Sequence, residues 1–302
     1  MEIVCQEVSR RLPVGSASRR LFHGRGHCFP GYEDLLIDWF KPVVLISLYA
    51  PRDQQWLDRL LVFLRTEVAE LEAILLQERF LPDSPVRLLW GEQPEVIDAV
   101  EDHLRYRLRL GQAQNIGFFL DMRAGRRCVA QLAAEKKVLN LFSYSCSFSV
   151  VALNAGARQV VNVDMNRGAL ELGRNNHRLN GLDLRQASFL ALEIFRSIKR
   201  FEQLGPFDLL ICDPPAYQGK SFKAERDWPK LLRKLPGLLR PNADLLLCLN
   251  GPHLAPDFLT THIANLCPDW QLLDRFQPDD DFPEHEAARG VWMFHYRNGK
   301  TI

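Results

Sequence analysis

Apolar runs of strand length alternate with segments of helical periodicity in the second half of the chain. KVLNLFS (137–143) is almost continuously apolar, which is typical of a strand buried on both faces. NRGALELGRNNHRLNG (166–181) repeats apolar residues every three or four positions and ends at a glycine, which predicts a helix. The full set predicted is strand 137–143, helix 148–156, strand 159–165, helix 166–181, strand 208–215, helix 227–239 interrupted at Pro236, strand 243–250 and strand 291–296. This alternation predicts an α/β domain with a mostly parallel sheet covered by helices on both faces.

The first 110 residues follow a different pattern. Three short β segments are separated by Phe29-Pro30-Gly31 and Lys41-Pro42. Asp53 is the predicted N-cap of a helix that follows them. The predicted segments are β structure within 19–50 (RLFHGRG, LLIDWF and VVLISLYA), a helix over 53–79 and a strand over 86–91, while 94–110 show no clear period. We therefore expect a small α+β domain over residues 1–110, a candidate for substrate recognition, followed by the α/β domain over 111–302.

Composition places the chain among ordinary globular proteins. Of its 302 residues, 47% are hydrophobic and 25% charged, and no apolar run reaches the roughly 18 residues of a membrane-spanning helix. The N-terminus lacks the order of a secretory signal, and the seven cysteines show no zinc-type spacing. We expect a reduced, cytoplasmic protein that does not enter a membrane and holds no structural metal.

The formal net charge of +1 hides local blocks of charge. Residues 10–27 contain five arginines and no acid, residues 220–240 contain seven basic residues and two acids, and residues 279–286 are acidic. Basic blocks in a nearly neutral chain suggest a face for a polyanion, although ordinary solvated surface has the same composition.

The first strand of the α/β pattern runs into LNLFSYSCSFSV (139–150). A strand that turns directly into a helix is typical of a site for a nucleotide-like ligand. Such turns usually carry glycines, because the backbone must bend tightly and approach the ligand. Ser145, Cys146 and Ser147 stand in their place. The pattern alone leaves open a ligand loop without glycines or a plain turn.

Two further strand ends carry candidate chemistry. Asp164 ends the second strand, at the spacing from the first at which an acid binds a ribose diol; a helix N-cap is the alternative role. Asp213-Pro214-Pro215 ends a later strand, where two prolines fix the backbone and remove two amide donors. Asp213 can then accept a hydrogen bond from an amino or imino group, and Tyr217 can stack on a flat ring.

These segments together resemble the class I S-adenosylmethionine-dependent methyltransferases. The similarity is greatest to the ribosomal RNA branch that includes large-subunit cytosine-C5 and guanine-N7 enzymes. It is carried by QNIGFFLDMRAGRR (114–127), the segment 138–182 and DLLICDPPAYQGKSF (208–222), with weaker likeness over 19–49. The resemblance implies a Rossmann-like domain with a seven-stranded sheet and S-adenosyl-L-methionine as cofactor. We expect no extra N-terminal RNA-binding module of the kind many relatives carry. The branch commonly reads Tyr-Thr-Gly where this chain has Tyr144-Ser145-Cys146, and it usually has an Asp where Ser188 stands.

The resemblance also implies roles for individual residues. Asp164 would bind the ribose, and Asp213, Pro214, Pro215 and Tyr217 would present the acceptor base. The remaining cofactor contacts implied are Phe119, Arg123, Phe142, Ser143, Tyr144, Met165 and Ser188. Contacts expected to substrate are Lys220, Phe222, Lys223 and Asn250.

The cysteines bear on which atom is methylated. Cytosine C5 becomes nucleophilic only after a thiolate adds at C6, whereas a guanine nitrogen needs no covalent catalysis. Cys248 lies one residue before the position of the nucleophile in the C5 enzymes, and one residue along a strand reverses the direction of the side chain. We therefore expect methylation of a ring or exocyclic guanine nitrogen in ribosomal RNA. The alternatives are a small-molecule or protein methyltransferase and a degenerate RNA-binding protein without activity.

Overall fold

The computed structural model describes residues 1–111, 115–219, 221–251 and 253–299. The chain divides into two compact units. The first comprises residues 1–120 and 279–286, and the second comprises residues 121–278 and 287–302. The boundary predicted between residues 110 and 111 falls earlier than this division.

The elements of the first unit are α1 (Glu2–Arg10), β1 (Arg19–His23), β2 (Leu35–Phe40), β3 (Val43–Leu48), α2 (Gln54–Glu67), β4 (Ala73–Glu78), β5 (Val86–Gly91), β6 (Asp98–Glu101) and β7 (Leu104–Arg107). Five of the strands form a sheet in the order β1-β2-β3-β4-β5. In this sheet β3 and β4 are parallel and the other pairs are antiparallel, so a helix, α2, makes the crossover. Apolar residues of α1 and α2 and of the sheet form a common core.

Two predictions for this unit need correction. The helix predicted over 53–79 begins as expected, with the Asp53 side chain accepting a hydrogen bond from the Trp56 amide, but it ends at Glu67. The chain turns at Glu70, which has a φ of 57°, and AILLQE then forms the buried strand β4. A short apolar run fits a strand and a helix equally well, and here pairing with β3 decides. Residues 94–110, for which no element was predicted, contain the β6–β7 hairpin.

The second unit has the predicted α/β architecture. Its elements are α3 (Arg123–Leu132), β8 (Lys137–Leu141), α4 (Ser147–Asn154), β9 (Gln159–Asp164), α5 (Arg167–Leu179), β10 (Ala187–Ala191), α6 (Ile198–Leu204), β11 (Phe207–Cys212), β12 (Tyr217–Gln218), β13 (Phe222–Lys223), α7 (Ala224–Leu232), β14 (Leu239–Leu249), α8 (Pro256–Leu266), β15 (Trp270–Phe276) and β16 (Trp292–Asn298). The seven-stranded sheet has the order β10-β9-β8-β11-β14-β16-β15, parallel from β10 to β14 and antiparallel at both pairings of β16. The Rossmann-like fold class expected from the sequence is therefore confirmed.

Candidate active site

The candidate site lies at the carboxyl edge of the parallel strands. Strands β8, β9, β11 and β14 end at Leu141, Asp164, Cys212 and Leu249. Because parallel strands end on the same side of a sheet, the three motifs found in the sequence meet there.

The loop after β8 adopts a glycine-like backbone without glycine. Phe142, Tyr144 and Cys146 have φ values of 57°, 44° and 61°, in the left-handed region that disfavours side chains by roughly 1–2 kcal/mol per residue. The Ser143 amide donates to the Val163 carbonyl (3.0 Å), which holds the loop against β9. The loop therefore keeps the bend of a ligand-binding turn at a conformational cost.

Asp164 is buried at the end of β9 and faces this loop. Its carboxylate accepts hydrogen bonds from the backbone amides of Tyr144 (2.9 Å) and Asn166 (2.8 Å). Burial raises the Asp164 pKa, and these hydrogen bonds oppose the rise. The alternative role as N-cap of α5 falls to Asn166, whose side chain accepts from the Ala169 amide (3.0 Å). Each Asp164 oxygen retains acceptor capacity for a hydroxyl group.

A pocket that opens to solvent lies beside Asp164, and the empty space within it, open solvent included, is about 280 Å³. Three of the predicted cofactor residues line it, namely Phe142, Asp164 and Met165. The other lining residues are Glu193, Ile194, Phe195, Gln218 and Ser221, which sequence reasoning missed. Two carboxylates and a partly exposed Met and Phe suit an adenosine, because its hydroxyl and amino groups are donors and its base is flat.

Ser188 lies away from the expected place. Ser188 lies in β10 and pairs with Val161 of β9. The residue of β10 that pairs with Asp164 is Ala191, three positions further along the chain. The acid that lines the pocket on this side is Glu193, whose carboxylate accepts from the amides of Phe195 (3.1 Å) and Arg196 (2.8 Å). Glu193 follows the end of β10 by two residues, and an acid at that place is a signal that the sequence contains. The sequence analysis does not identify it, because it predicts no strand over β10.

The remaining predicted cofactor residues have different settings. Ser143 is buried, and the Tyr144 amide is bonded to Asp164. Arg123 begins α3 in the second unit, and Phe119 is an exposed residue of the first unit. Their roles toward the cofactor stay predictions.

The Asp-Pro-Pro turn is held by the end of the neighbouring strand. The Asn250 side-chain amino group donates to Asp213 Oδ1 (2.7 Å) and to the Pro214 carbonyl (2.8 Å). The Ala216 carbonyl accepts from the Ala224 amide (3.0 Å), which closes the segment after the prolines. Asn250 thus positions two acceptors, a carboxylate and a carbonyl, at the edge of the sheet.

Asp213 is an unusually basic carboxylate. Burial raises its pKa to about 6, against the opposing hydrogen bond from Asn250 and the positive charge of Arg126. Perturbed carboxylates of this kind concentrate at functional sites. At neutral pH most Asp213 carboxylates are ionised and able to accept a hydrogen bond.

The predicted substrate contacts divide into exposed and buried residues. Tyr217 is 68% exposed and Lys223 is exposed. Phe222 is fully buried and packs edge-on against Phe142, with ring centroids 5.1 Å apart. Its burial corrects the expectation that it faces the acceptor, because a side chain packed inside the core supports Phe142 instead. Lys220 lies outside the described residues.

The three thiols nearest the site are unfavourable as nucleophiles. Cys146, Cys212 and Cys248 are buried, and burial raises the pKa of each thiol. The nearby Asp213 carboxylate raises the pKa of Cys248 further. A thiolate, rather than a thiol, is the reactive form, so Cys248 is held in the unreactive state.

The basic blocks of the sequence are largely paired. Within the first unit, Arg19 donates to Asp281 (2.6 Å) and Arg20 to Asp38 (2.6 Å). In α7, buried Asp227 accepts from Arg226 (2.6 Å) and Lys230 (2.9 Å), and these hydrogen bonds hold the Asp227 pKa below its usual range. Pairing removes part of the positive charge expected for a polyanion-binding face.

In the described part of the chain, no helix combines the length and apolar character required to cross a bilayer. Across the same residues, no group of three or more His, Cys, Asp or Glu side chains is arranged to hold a metal ion.

Comparisons with known proteins agree with the fold. A profile of the S-adenosylmethionine-dependent methyltransferases matches residues 19–297. The chain is 31% identical over 202 residues to the ribosomal RNA large subunit methyltransferase I of Klebsiella pneumoniae (strain 342), across 64% of this chain and 50% of that protein. It is 33% identical over 158 residues to the protein of the same name from Aeromonas salmonicida (strain A449), across 52% of this chain and 38% of that protein. The chain therefore spans about half the length, or less, of these curated relatives.

Solved structures are similar over almost the whole chain. A protein described as a methyltransferase and crystallised with SAH has a TM-score of 0.87 and 25% identity, across 98% of this chain and 80% of that one. A methyltransferase fold from Streptococcus mutans has a TM-score of 0.86 and 24% identity, across 98% of this chain and 81% of that one. With the profile match over most of the chain, and with a pocket that suits adenosine, this chain belongs to the family of S-adenosylmethionine-dependent methyltransferases.

Proposed function

We propose that the protein transfers a methyl group from S-adenosylmethionine to a nitrogen of a nucleobase in ribosomal RNA, and that it acts in the cytoplasm. The named relatives are ribosomal RNA methyltransferases, and this supports RNA as the class of acceptor. The single observation that carries the choice of nitrogen is the Asn250 clamp on Asp213 and Pro214. A carboxylate and a carbonyl held side by side accept hydrogen bonds from an amino or imino group and so orient its nitrogen.

The pocket residues supply the cofactor contacts of this proposal. Asp164 accepts from the ribose hydroxyls, and Glu193 accepts from the amino group of the base. Met165 and Phe142 pack on the base, with Phe222 supporting Phe142. When bound, S-adenosylmethionine supplies an activated methyl group, and the protein contributes alignment, which can lower the barrier by several kcal/mol.

Further predicted residues complete the cofactor side. Ser143 and Tyr144 form the loop that carries the backbone past the cofactor, and Arg123, at the start of α3, helps to enclose it. A role for Phe119 stays a prediction from the sequence. Ser188 is not part of this proposal, because Glu193 lines the pocket in its stead.

The acceptor side combines an aromatic residue with positive charge. Tyr217 stacks on the splayed base, and Lys223 contacts the RNA backbone. Asn250 acts as a positioning residue for Asp213, because both of its donor contacts go to the turn itself. A role for Lys220 beside Lys223 stays a prediction from the sequence.

The state of Cys248 favours a nitrogen target over cytosine C5. Addition at C6 requires a thiolate, and burial together with Asp213 keeps this thiol protonated. For a guanine, the exocyclic amine and the ring nitrogens both remain within the proposal.

Methyl transfer to RNA from cells that lack the protein tests this function. Labelled S-adenosylmethionine should label total RNA from the deletion strain and leave RNA from the parent strain unlabelled, because the parent's sites are already methylated. Nucleoside analysis should then give an N-methylated guanosine. A C5-methylated cytidine would contradict the nitrogen assignment. Label in neither RNA, with SAH binding intact, would favour a small-molecule or protein acceptor.

Two substitutions separate the cofactor site from the acceptor site. Asp164→Ala should weaken SAH binding by at least about tenfold, because it removes the acceptor for the ribose hydroxyls. Asp213→Ala should leave SAH binding nearly unchanged and abolish transfer. Isothermal titration with SAH and the transfer assay measure the two effects. Full activity of Asp213→Ala would contradict the proposed active site, and loss of SAH binding in the unaltered protein would favour a non-catalytic RNA-binding protein.

A further inference from the structure

The β12–β13 hairpin, directly after the Asp-Pro-Pro turn, has two distinct faces. Tyr217 pairs with Lys223, and Gln218 pairs with Phe222. Side chains of paired residues project to the same side of a sheet, and successive residues project to opposite sides. Tyr217 and Lys223 are exposed, whereas Phe222 is buried and Gln218 lines the pocket beside Asp164. One face of the hairpin therefore belongs to the pocket and the other to solvent.

The hairpin is attached to the pocket wall. Phe222 packs edge-on against Phe142, which itself lines the pocket. At the base of the hairpin, the Lys223 amide donates to Asp227 (2.9 Å) and the Ala224 amide donates to the Ala216 carbonyl (3.0 Å). Each strand of the hairpin has only two residues, one on the inner face and one on the outer face. A ligand that contacts the inner face therefore acts on residues that are direct neighbours of Tyr217 and Lys223.

The polar side chains that line the pocket differ in whether they donate or accept hydrogen bonds. Asp164 and Glu193 are acceptors when ionised. The Ser221 hydroxyl donates to the Gln218 backbone carbonyl (2.7 Å). Among the eight described residues that line the pocket, Gln218 carries the only side-chain N–H group. An adenosine presents donors at its hydroxyl and amino groups, but acceptors at its ring nitrogens, which a carboxylate cannot satisfy.

We propose that Gln218 donates a hydrogen bond to a ring nitrogen of the adenosine part of the cofactor, and that cofactor binding thereby orders the outer face of the hairpin. Tyr217 and Lys223 then become fixed for the acceptor when the cofactor is in place. The second half of this inference rests on the proposed function, since it assigns the outer face to the RNA. The first half needs only the cofactor of the family.

SAH binding to the full chain tests the role of Gln218. Gln218→Met keeps the length of the side chain and removes its hydrogen-bonding groups, and we expect it to weaken SAH binding by about tenfold in isothermal titration. Gln203→Met is the matched control on the exposed surface of α6 and should leave the dissociation constant unchanged. Gln218→Ala repeats the test with a smaller side chain, and melting temperatures without ligand verify that each variant is folded.

Hydrogen exchange tests the ordering of the hairpin. At saturating SAH, amides of residues 216–219 and 221–224 should exchange at least about tenfold more slowly in the unaltered protein, and the slowing should be smaller in Gln218→Met. An unchanged SAH dissociation constant in both Gln218 variants, or hairpin exchange that SAH does not slow, would overturn the inference.

Filter binding of ribosomal RNA with and without SAH separates the two proposals. RNA affinity that rises with SAH and falls in Tyr217→Ala supports the coupling. If no variant binds RNA while Gln218→Met still weakens SAH binding, the proposed acceptor fails and the contact from Gln218 to the cofactor stands.

Discussion

At the scale of single residues, the loop 142–146 has a cysteine, Cys146, where a glycine is usual, and this cysteine packs closely against a glycine of α5. Cys146 adopts a φ of 61° and is fully buried against α5. A Cβ built on Gly173 would lie 2.4 Å from Cys146 Sγ, a distance that no real side chain tolerates. The glycine absent from the loop is therefore matched by a glycine in the adjacent helix, which makes room for the cysteine.

This match predicts strong coupling between positions 146 and 173. Gly173→Ala alone should lower the free energy of unfolding by about 1–3 kcal/mol, because the new methyl group overpacks against Cys146. With Cys146→Gly in place, the same substitution should be neutral or stabilising by up to about 1 kcal/mol, since alanine is the better helix former. Urea unfolding of the four proteins measures the cycle, and strictly additive effects would contradict the fit.

The pKa of Asp213 predicts the pH dependence of methyl transfer. With a folded-state pKa of about 6, the accepting carboxylate is lost below that pH, so kcat should fall about tenfold per pH unit there. Asn250→Ala removes a hydrogen bond that lowers this pKa, so the inflection should move upward. Asn175→Ala, on the exposed face of α5, is the control. An inflection near pH 4, or one that Asn250→Ala leaves in place, would contradict the assignment.

At the scale of elements, a chain of buried polar side chains joins two strands to two helices. Asn140 of β8 donates to Asn162 of β9 (3.0 Å), and Asn162 donates to Ser149 of α4 (3.0 Å). The Ser149 hydroxyl lies 2.9 Å from His177 Nε2, and His177 Nδ1 lies 2.7 Å from the Gly173 carbonyl. Because a carbonyl oxygen only accepts hydrogen bonds, Nδ1 of the neutral His177 carries the proton. Nε2 is then the acceptor, and the Ser149 hydroxyl donates to it.

This network predicts loss of stability in mild acid. Burial lowers the His177 pKa from 6.5 to about 4, so between these values the unfolded chain takes up a proton and the folded chain does not. The contribution of His177 to the free energy of unfolding should therefore decrease by about 3 kcal/mol as the pH falls from 7 to 4. Asp213, whose folded pKa is raised, has the opposite effect between pH 6 and 3.8.

Comparison with His177→Gln isolates the histidine from Asp213. The difference in unfolding free energy between the two proteins, measured in urea at each pH, should shrink steadily below pH 6.5. Parallel curves for the unaltered protein and the variant would show that His177 does not titrate as its burial implies.

At the scale of the whole molecule, two charge blocks far apart in the sequence belong to the same unit. Residues 279–286 lie between β15 and β16 in the sequence, yet they belong to the first unit. There, Asp281 accepts from Arg19 Nε (3.1 Å) and lies 3.5 Å from buried Arg11, and Phe282 lies under Arg20. Gly26 is required beside this segment, since a Cβ would lie 1.7 Å from the Pro283 carbonyl oxygen. Asp281 of the acidic block thus pairs with two arginines of the basic block, Arg11 and Arg19, within the first unit.

Asp281→Asn should destabilise the first unit. It leaves the buried Arg11 guanidinium with fewer compensating charges, which should lower the local free energy of opening by on the order of 2 kcal/mol. Hydrogen exchange of the β1 amides at neutral pH measures this change. Asp280→Asn, one residue away and exposed, is the control, and equal effects of the two variants would contradict the role of Asp281.

Local sequence patterns predict many of the strands and helices of the second unit. Apolar runs such as 159–165 and 208–215 specify buried strands; Asp164 ends the first of these strands, and Asp213 directly follows the second. The edge of the sheet at which such residues meet follows from parallel topology alone. Elements whose sequence signal is weak, such as β10 and the β6–β7 hairpin, were missed because pairing with a neighbour, rather than periodicity, stabilises them.

The sequence by itself determined the fold class, the family and the three motifs, because these depend on residue type and spacing along the chain. Only the tertiary structure decided which side chains share a pocket. It brought Glu193 and Gln218 beside Asp164, placed Phe222 in the core and turned Asn250 toward Asp213. It also matched Cys146 to Gly173, and Asp281 to Arg19. These pairings lie far apart in sequence, and the burial and hydrogen bonds that select them exist only once the chain has folded.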